Sequence, residues 1–109
     1  MIIQTNIVKK GFDAFTCWPF IFIRPEYATN KGLIEHEMVH YKEQRACGVI
    51  PWLLRYAFSK KFRLAAELRG YKRQIDLGYM TINRAAEYLV NYGVDLSLTE
   101  AIALLRQRK

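Results

Sequence analysis

Residues 30–48, NKGLIEHEMVHYKEQRACG, decide how the chain is read. From Asn30 onward the apolar residues recur with a helical period, whereas the stretch before it is rich in aromatic and β-branched residues. Asn30 suits an N-cap, because its short side chain can accept a hydrogen bond from a free backbone N–H of the first turn. Gly48 suits the position just past the last turn. The spacing therefore predicts one helix between Asn30 and Gly48. It carries both histidines of the chain, His36 and His40, one turn apart.

The segments on either side of this helix differ in kind. Ile2–Val8 mixes β-branched and polar residues and is closed by Lys9, Lys10 and Gly11. Phe15–Ile23 reads as a second strand, ending at Arg24-Pro25; Pro19 within it suggests an edge strand or a bulge. After Gly48 every periodic segment is helical: Pro51 to about Phe58, Lys60–Leu77 before Gly78, Asn83–Tyr92 before Gly93, and Ser97 to about Arg106. Ser97 and Glu100 have the spacing of a capping box. Strands first and helices afterwards predict an α+β fold. At 109 residues, 51% of them apolar, the chain supports one domain, 1–109, with one core.

No apolar run approaches the roughly 20 residues needed to span a bilayer. The opening MIIQTNIVKKG lacks the order of a signal peptide, so a soluble, cytoplasmic monomer is expected. Cys17 and Cys47 are too few for a disulfide framework. Free thiols are the simpler expectation, and a single Cys17–Cys47 bridge stays open at this stage.

His36-Glu37-Met38-Val39-His40 has the form HExxH. Residues four apart on a helix lie one above the other, so both imidazoles can reach one ion. Taking about 100° per residue, Leu33, His36, Glu37, His40, Glu43, Gln44 and Cys47 share one half of the helix. Lys31, Glu35, Lys42 and Ala46 occupy the other half, and Ile34, Met38 and Tyr41 form a flanking apolar strip. The polar residues thus face inward, where they need a partner, and a metal ion would satisfy them.

Zinc with three protein ligands keeps one position open for water. Cys47 lies seven residues beyond His40, a rise of about 10 Å, too far to share an ion. Glu43 is on the right face but is separated from His36 by a similar distance. The turn-back glycine of HExxHxxGxxH is missing, and no third histidine exists. A carboxylate on another element remains. Between Arg55 and Arg73 stand seven basic residues and one acid, Glu67, in the middle of a predicted helix. Gly70 and Tyr71, three and four residues on, share its side. A helical glycine costs about 1 kcal/mol relative to alanine, which points to a close approach there. The alternative for Glu67 is an ion pair with Arg63.

An HExxH helix followed by Glu-x-x-small-Tyr on a later helix resembles the gluzincin branch of the zincin metallopeptidases. The compact spacing is similar to minigluzincins and to small phage or bacterial zinc peptidases, over roughly Phe20 to Ile75. The resemblance implies a zincin-like domain in which a small antiparallel sheet packs on the active-site helix. It implies Zn2+ held by His36, His40 and Glu67, with Glu37 as general base for hydrolysis of a peptide or protein substrate. It further implies that Phe20–Arg24 is the edge strand that pairs with an extended peptide. Tyr71, or Tyr41, is the candidate for a hydroxyl facing the oxyanion; a place in the core is the alternative for either. Short relatives often carry glutamine three residues after the second histidine; here Glu43 stands there and Gln44 follows.

Two other readings compete. In one, the zinc site is latent or structural. In the other, the net charge of +7 (17 basic and 10 acidic residues) and the basic end Arg106-Gln107-Arg108-Lys109 mark a nucleic-acid module. Asn83–Tyr92 and Ser97–Arg106 would then be a helix-turn-helix. Two helices closing a core give the same pattern, and nucleic acid is the weaker expectation.

Overall fold

The computed structural model describes residues 2–6, 13–92 and 94–107. Three short strands open the chain: β1 (Ile2–Gln4), β2 (Ala14–Cys17) and β3 (Phe20–Ile23). Five helices follow: α1 (Lys31–Cys47), α2 (Val49–Phe58), α3 (Lys60–Asp76), α4 (Ile82–Leu89) and α5 (Leu98–Arg106). The fold is α+β, as the order of periods predicts. No helix among the described residues is long and apolar enough to cross a membrane.

The apolar run expected as one strand is a hairpin. Trp18 and Pro19, joined by a cis peptide bond, form its two-residue turn. The missing N–H of Pro19 therefore never meets the ladder, and the proline marks neither an edge strand nor a bulge. The sheet order is β1-β3-β2, with β3 parallel to β1 and antiparallel to β2, so the sheet is mixed and not the antiparallel one expected. This overturns the assignment of Phe20–Arg24 as the edge: Phe20–Ile23 is central, with Ile21 and Ile23 fully buried. The strand running beside α1 at the margin of the sheet is β2. Of the predicted first strand, Ile7 and Val8 lie outside the described residues, as do Lys9, Lys10, Gly11, Gly93, Arg108 and Lys109.

Helix ends follow local chemistry. Asn30 accepts from the Leu33 N–H at 3.0 Å, and Ser59, Thr81 and Ser97 cap α3, α4 and α5 in the same way. Ser97 and Glu100 complete the predicted capping box. Gly48 turns the chain between α1 and α2 at a φ of 94°, and α2 starts at Val49, two residues before Pro51. The missing Pro51 N–H falls in the first turn, where no intrahelical bond is lost. α4 is shorter than the predicted Asn83–Tyr92, because its last turn tightens into a 3-10 segment at Val90–Tyr92.

α3 crosses α1 and carries the rest of the helices. Ala85, Ala86, Leu89, Ala101 and Leu105 from α4 and α5 pack with Tyr71 of α3 in one buried cluster. The helix pair read as a possible helix-turn-helix thus uses its apolar faces to close the core. Both cysteines are free thiols, and Cys47 is exposed, off the inward face assigned to it.

Gln44 ties the sheet to α1 beside the Thr16–Glu37 contact. Gln44 is fully buried; its Nε2 donates to the Thr16 carbonyl at 2.9 Å, and its Oε1 accepts from the Trp18 N–H at 2.7 Å. Its carboxamide thereby pairs with two residues of the hairpin as a neighbouring strand's peptide unit would. Gln44→Ala should leave both backbone groups unpaired and cost about 2–3 kcal/mol. A denaturant titration checks this, and a loss below about 0.5 kcal/mol, the level of an ordinary surface change, would contradict it.

Candidate metal centre

His36 and His40 project from one face of α1 toward α3, one turn apart on the helix. Their rings meet edge to face with centroids 4.9 Å apart. Glu67 faces them from the middle of α3. His36 Nε2 lies 3.0 Å and His40 Nε2 2.7 Å from the same atom, Glu67 Oε1. The three potential ligand atoms lie within 4.8 Å of one another, and the residues are 2%, 4% and 3% exposed. This buried His-His-Glu group could hold a metal ion.

The outer nitrogens of the two rings are also held. His36 Nδ1 is 2.7 Å from Gln74 Oε1, and His40 Nδ1 is 3.4 Å from Glu43 Oε1. Glu43 also accepts from Trp52 Nε1 at 3.2 Å and forms an ion pair with Arg69. His40 thus meets a carboxylate at each ring nitrogen, Glu43 at Nδ1 and Glu67 at Nε2, and neither has a proton to give at ordinary pH. A neutral ring has one N–H and can donate to only one of them, which leaves the lone pair of its other nitrogen aimed at an oxygen that also offers only lone pairs. Something positive has to lie between them: a proton on the ring, or a cation shared with His36.

Electrostatics express the same demand. Burial disfavours a charge on His40, yet Glu43 and Glu67 outweigh it and raise its pKa from 6.5 to about 10. Burial alone would raise Glu67, but hydrogen bonds from His36 and His40 pull its pKa well below the usual carboxylate range. The pocket favours a carboxylate facing positive charge. Two imidazole nitrogens and a carboxylate oxygen are a donor set that divalent transition metals accept. A metal would take the place of the ring proton, with each Nδ1 fixed by its outer partner and each Nε2 turned inward.

Several neighbours hold these groups in place. Gly70 packs directly on His36: a Cβ there would come within 2.6 Å of the imidazole. The close approach that the glycine suggested is thus of backbone to ring. Tyr56 Oη–H donates to Glu67 Oε2 at 2.9 Å, leaving Oε1 for the histidines. Trp52 packs on His40 with centroids 5.3 Å apart, and Tyr71 packs on His36 at 4.5 Å. Arg63, the alternative partner for Glu67, donates instead to the carbonyls of Tyr56 and Tyr92, both at 2.7 Å.

Glu37 stands beside the cluster, 7% exposed and outside the three-residue ligand group. Thr16 Oγ1 of β2 donates to Glu37 Oε1 at 2.7 Å. The Tyr71 hydroxyl meets that of Tyr92 at 3.0 Å, and burial pushes the Tyr71 pKa upward, so it stays protonated. Tyr41, the second choice for that role, packs against Trp18. Gln74, Tyr56 and Thr16 were not singled out in the sequence. Gln74 had a usable signal, for it lies seven residues after Glu67, two turns along the same helical face.

A direct ligand and an outer partner should differ in what their removal costs. Glu67→Ala leaves a buried, uncompensated site and should weaken divalent-metal binding by about 3–5 kcal/mol, roughly a thousandfold. Glu43→Ala removes no ligand, only the outer contacts to His40, Trp52 and Arg69, and should cost about 10–100-fold. Competition titration against a chromophoric chelator reads both; the reverse order would place the third ligand on α1. In comparisons with protein-family models, with curated proteins and with solved structures, the chain finds no match.

Proposed function

We propose that this chain is a zinc-dependent peptidase of the gluzincin type, hydrolysing peptide bonds with a metal-activated water. The observation that carries the reading is the position of Glu37. It is a buried carboxylate next to His36, held by Thr16 and left outside the ligand group. A structural metal site needs no such second carboxylate, whereas hydrolysis needs a base beside the ion.

His36, His40 and Glu67 would hold the zinc, and the outer contacts to Gln74 and Glu43 would keep both rings in the ligating tautomer. Bound there, zinc lowers the pKa of water and polarises the scissile carbonyl. Glu37 accepts the water proton and delivers it to the leaving amine. The Thr16 hydroxyl occupies one lone pair of Glu37 Oε1 and so fixes the direction from which the base works. Tyr71, kept protonated by burial and hydrogen-bonded to the Tyr92 hydroxyl, would be the candidate donor to the developing oxyanion.

β2 supplies the peptide-binding edge in this reading, in place of Phe20–Arg24. The Arg24 backbone N–H donates to the Asp13 carbonyl at 3.1 Å, and Cys17 lies opposite Phe20 across the turn. The antiparallel alternation then turns the backbone groups of Ala14 and Thr16 away from β3. Gln44 takes the Thr16 carbonyl, and among the described residues no strand pairs with that side. An extended peptide docked there lies beside the base.

A second reading, a latent or structural zinc site, draws support from the burial of all three ligands and from the packing of Trp52, Tyr56 and Tyr71 around them. Glu37→Gln separates the two. With zinc-loaded protein and a pool of internally quenched peptides, the substitution should lower kcat/KM by about 10²–10⁴-fold. Bound zinc should stay at one per chain. A wild-type chain that holds one zinc and cleaves nothing would favour the structural site.

A further inference from the structure

α2 has two faces with different environments. Its inner side belongs to the metal centre, through Trp52 against His40 and the Tyr56 hydroxyl on Glu67. Its outer side carries Ile50, Leu54 and Phe58, at helical spacings of four, and these are 70%, 54% and 85% exposed. Three large apolar side chains in a row on one helix face are a patch, not scattered singles. An aromatic side chain, the largest kind, buries on the order of 150–250 Å², so three side chains exposed to this degree present at most roughly 500 Å². One partner of a stable protein dimer buries about 800 Å². The stripe is too small to hold a second copy by itself.

The charge around it points to a different occupant. From Arg45 to Ala66 the sequence has five basic residues and no acid. Lys60 is engaged by Asp95, and Arg63 by backbone carbonyls. Arg45, Arg55 and Lys61 are exposed and form no ion pair among the described residues. A short helix with an apolar outer stripe, flanking cations and no acid matches the surface of an anionic bilayer. There a few apolar side chains enter the acyl boundary while the cations meet the lipid headgroups.

We propose that the outer face of α2 docks the protein on anionic membranes, with Ile50, Leu54 and Phe58 entering the interface and Arg55 and Lys61 contacting the headgroups. α2 then lies flat on the lipid, with the His-His-Glu centre directly above it. The proposal concerns the outer face alone and stands whether or not the centre is catalytic.

Sedimentation of the full chain with vesicles tests it, using phosphatidylcholine alone and phosphatidylcholine with one quarter phosphatidylglycerol. Wild type should bind the anionic vesicles and release as salt is raised. Leu54→Gln with Phe58→Gln, both at exposed positions, should lower binding by at least tenfold while the circular dichroism spectrum is kept. Arg55→Gln and Lys61→Gln should each lower it by about fivefold. Absence of wild-type binding, or equal binding by the Leu54/Phe58 variant, overturns the proposal. So does a concentration-dependent dimer, seen by analytical ultracentrifugation and lost in that variant, without vesicle binding; a second copy would then cover the face.

Discussion

Lone pairs aimed at one another in a buried place demand a positive charge between them. In this chain the acceptors crowd around two imidazoles: His36 Nε2 and His40 Nε2 face the same Glu67 Oε1, all within 4.8 Å of one another. With a carboxylate at each nitrogen, Glu43 outside and Glu67 inside, neither tautomer of a neutral His40 ring satisfies both. The remaining solutions are an imidazolium or a metal ion. Metal binding and protonation of His40 are therefore alternatives for the same atom.

Much of the architecture serves to hold that arrangement. α1 and α3 must approach closely enough for a carboxylate on one to reach two imidazoles on the other, and Gly70 permits it by leaving space for the His36 ring. α2 closes the site from the side with Trp52 and Tyr56, while α4 and α5 back Tyr71 from behind. The sheet is joined to α1 by Gln44, and that same contact brings Thr16 to Glu37. One turn of α1 thus presents the ligands to α3 and the carboxylate of Glu37 to β2. Ligand and base roles separate because neighbouring residues on a helix point about 100° apart.

The sequence was most informative where the signal was local. The Asn30 cap, the Ser97–Glu100 box and the one-turn spacing of the histidines each involve residues within four positions, and each appears in the structure. Glu67 lies 27 residues beyond His40, yet its isolation among cations and the glycine three residues later made it visible. The hairpin reads as one strand in sequence because Trp18-Pro19 continues an aromatic and β-branched run, Phe15–Ile23, in which Thr16 alone is polar, so no polar break marks the turn. Placing β3 at the centre of the sheet depends on β1 pairing in parallel from a distance, which no local pattern encodes. Thr16 and Gln74 are common polar residues 21 and 38 positions from their partners, and only the packed fold brings them there.

X-ray absorption at the zinc K-edge of the reconstituted protein tests the central claim most directly, because it reads the ligand atoms themselves. The account predicts a first shell of nitrogen and oxygen only, with the outer-shell scattering of two imidazoles and distances of about 2.0–2.2 Å. Sulfur at about 2.3 Å, or the scattering of fewer than two imidazoles, would contradict it by placing the metal elsewhere than among His36, His40 and Glu67.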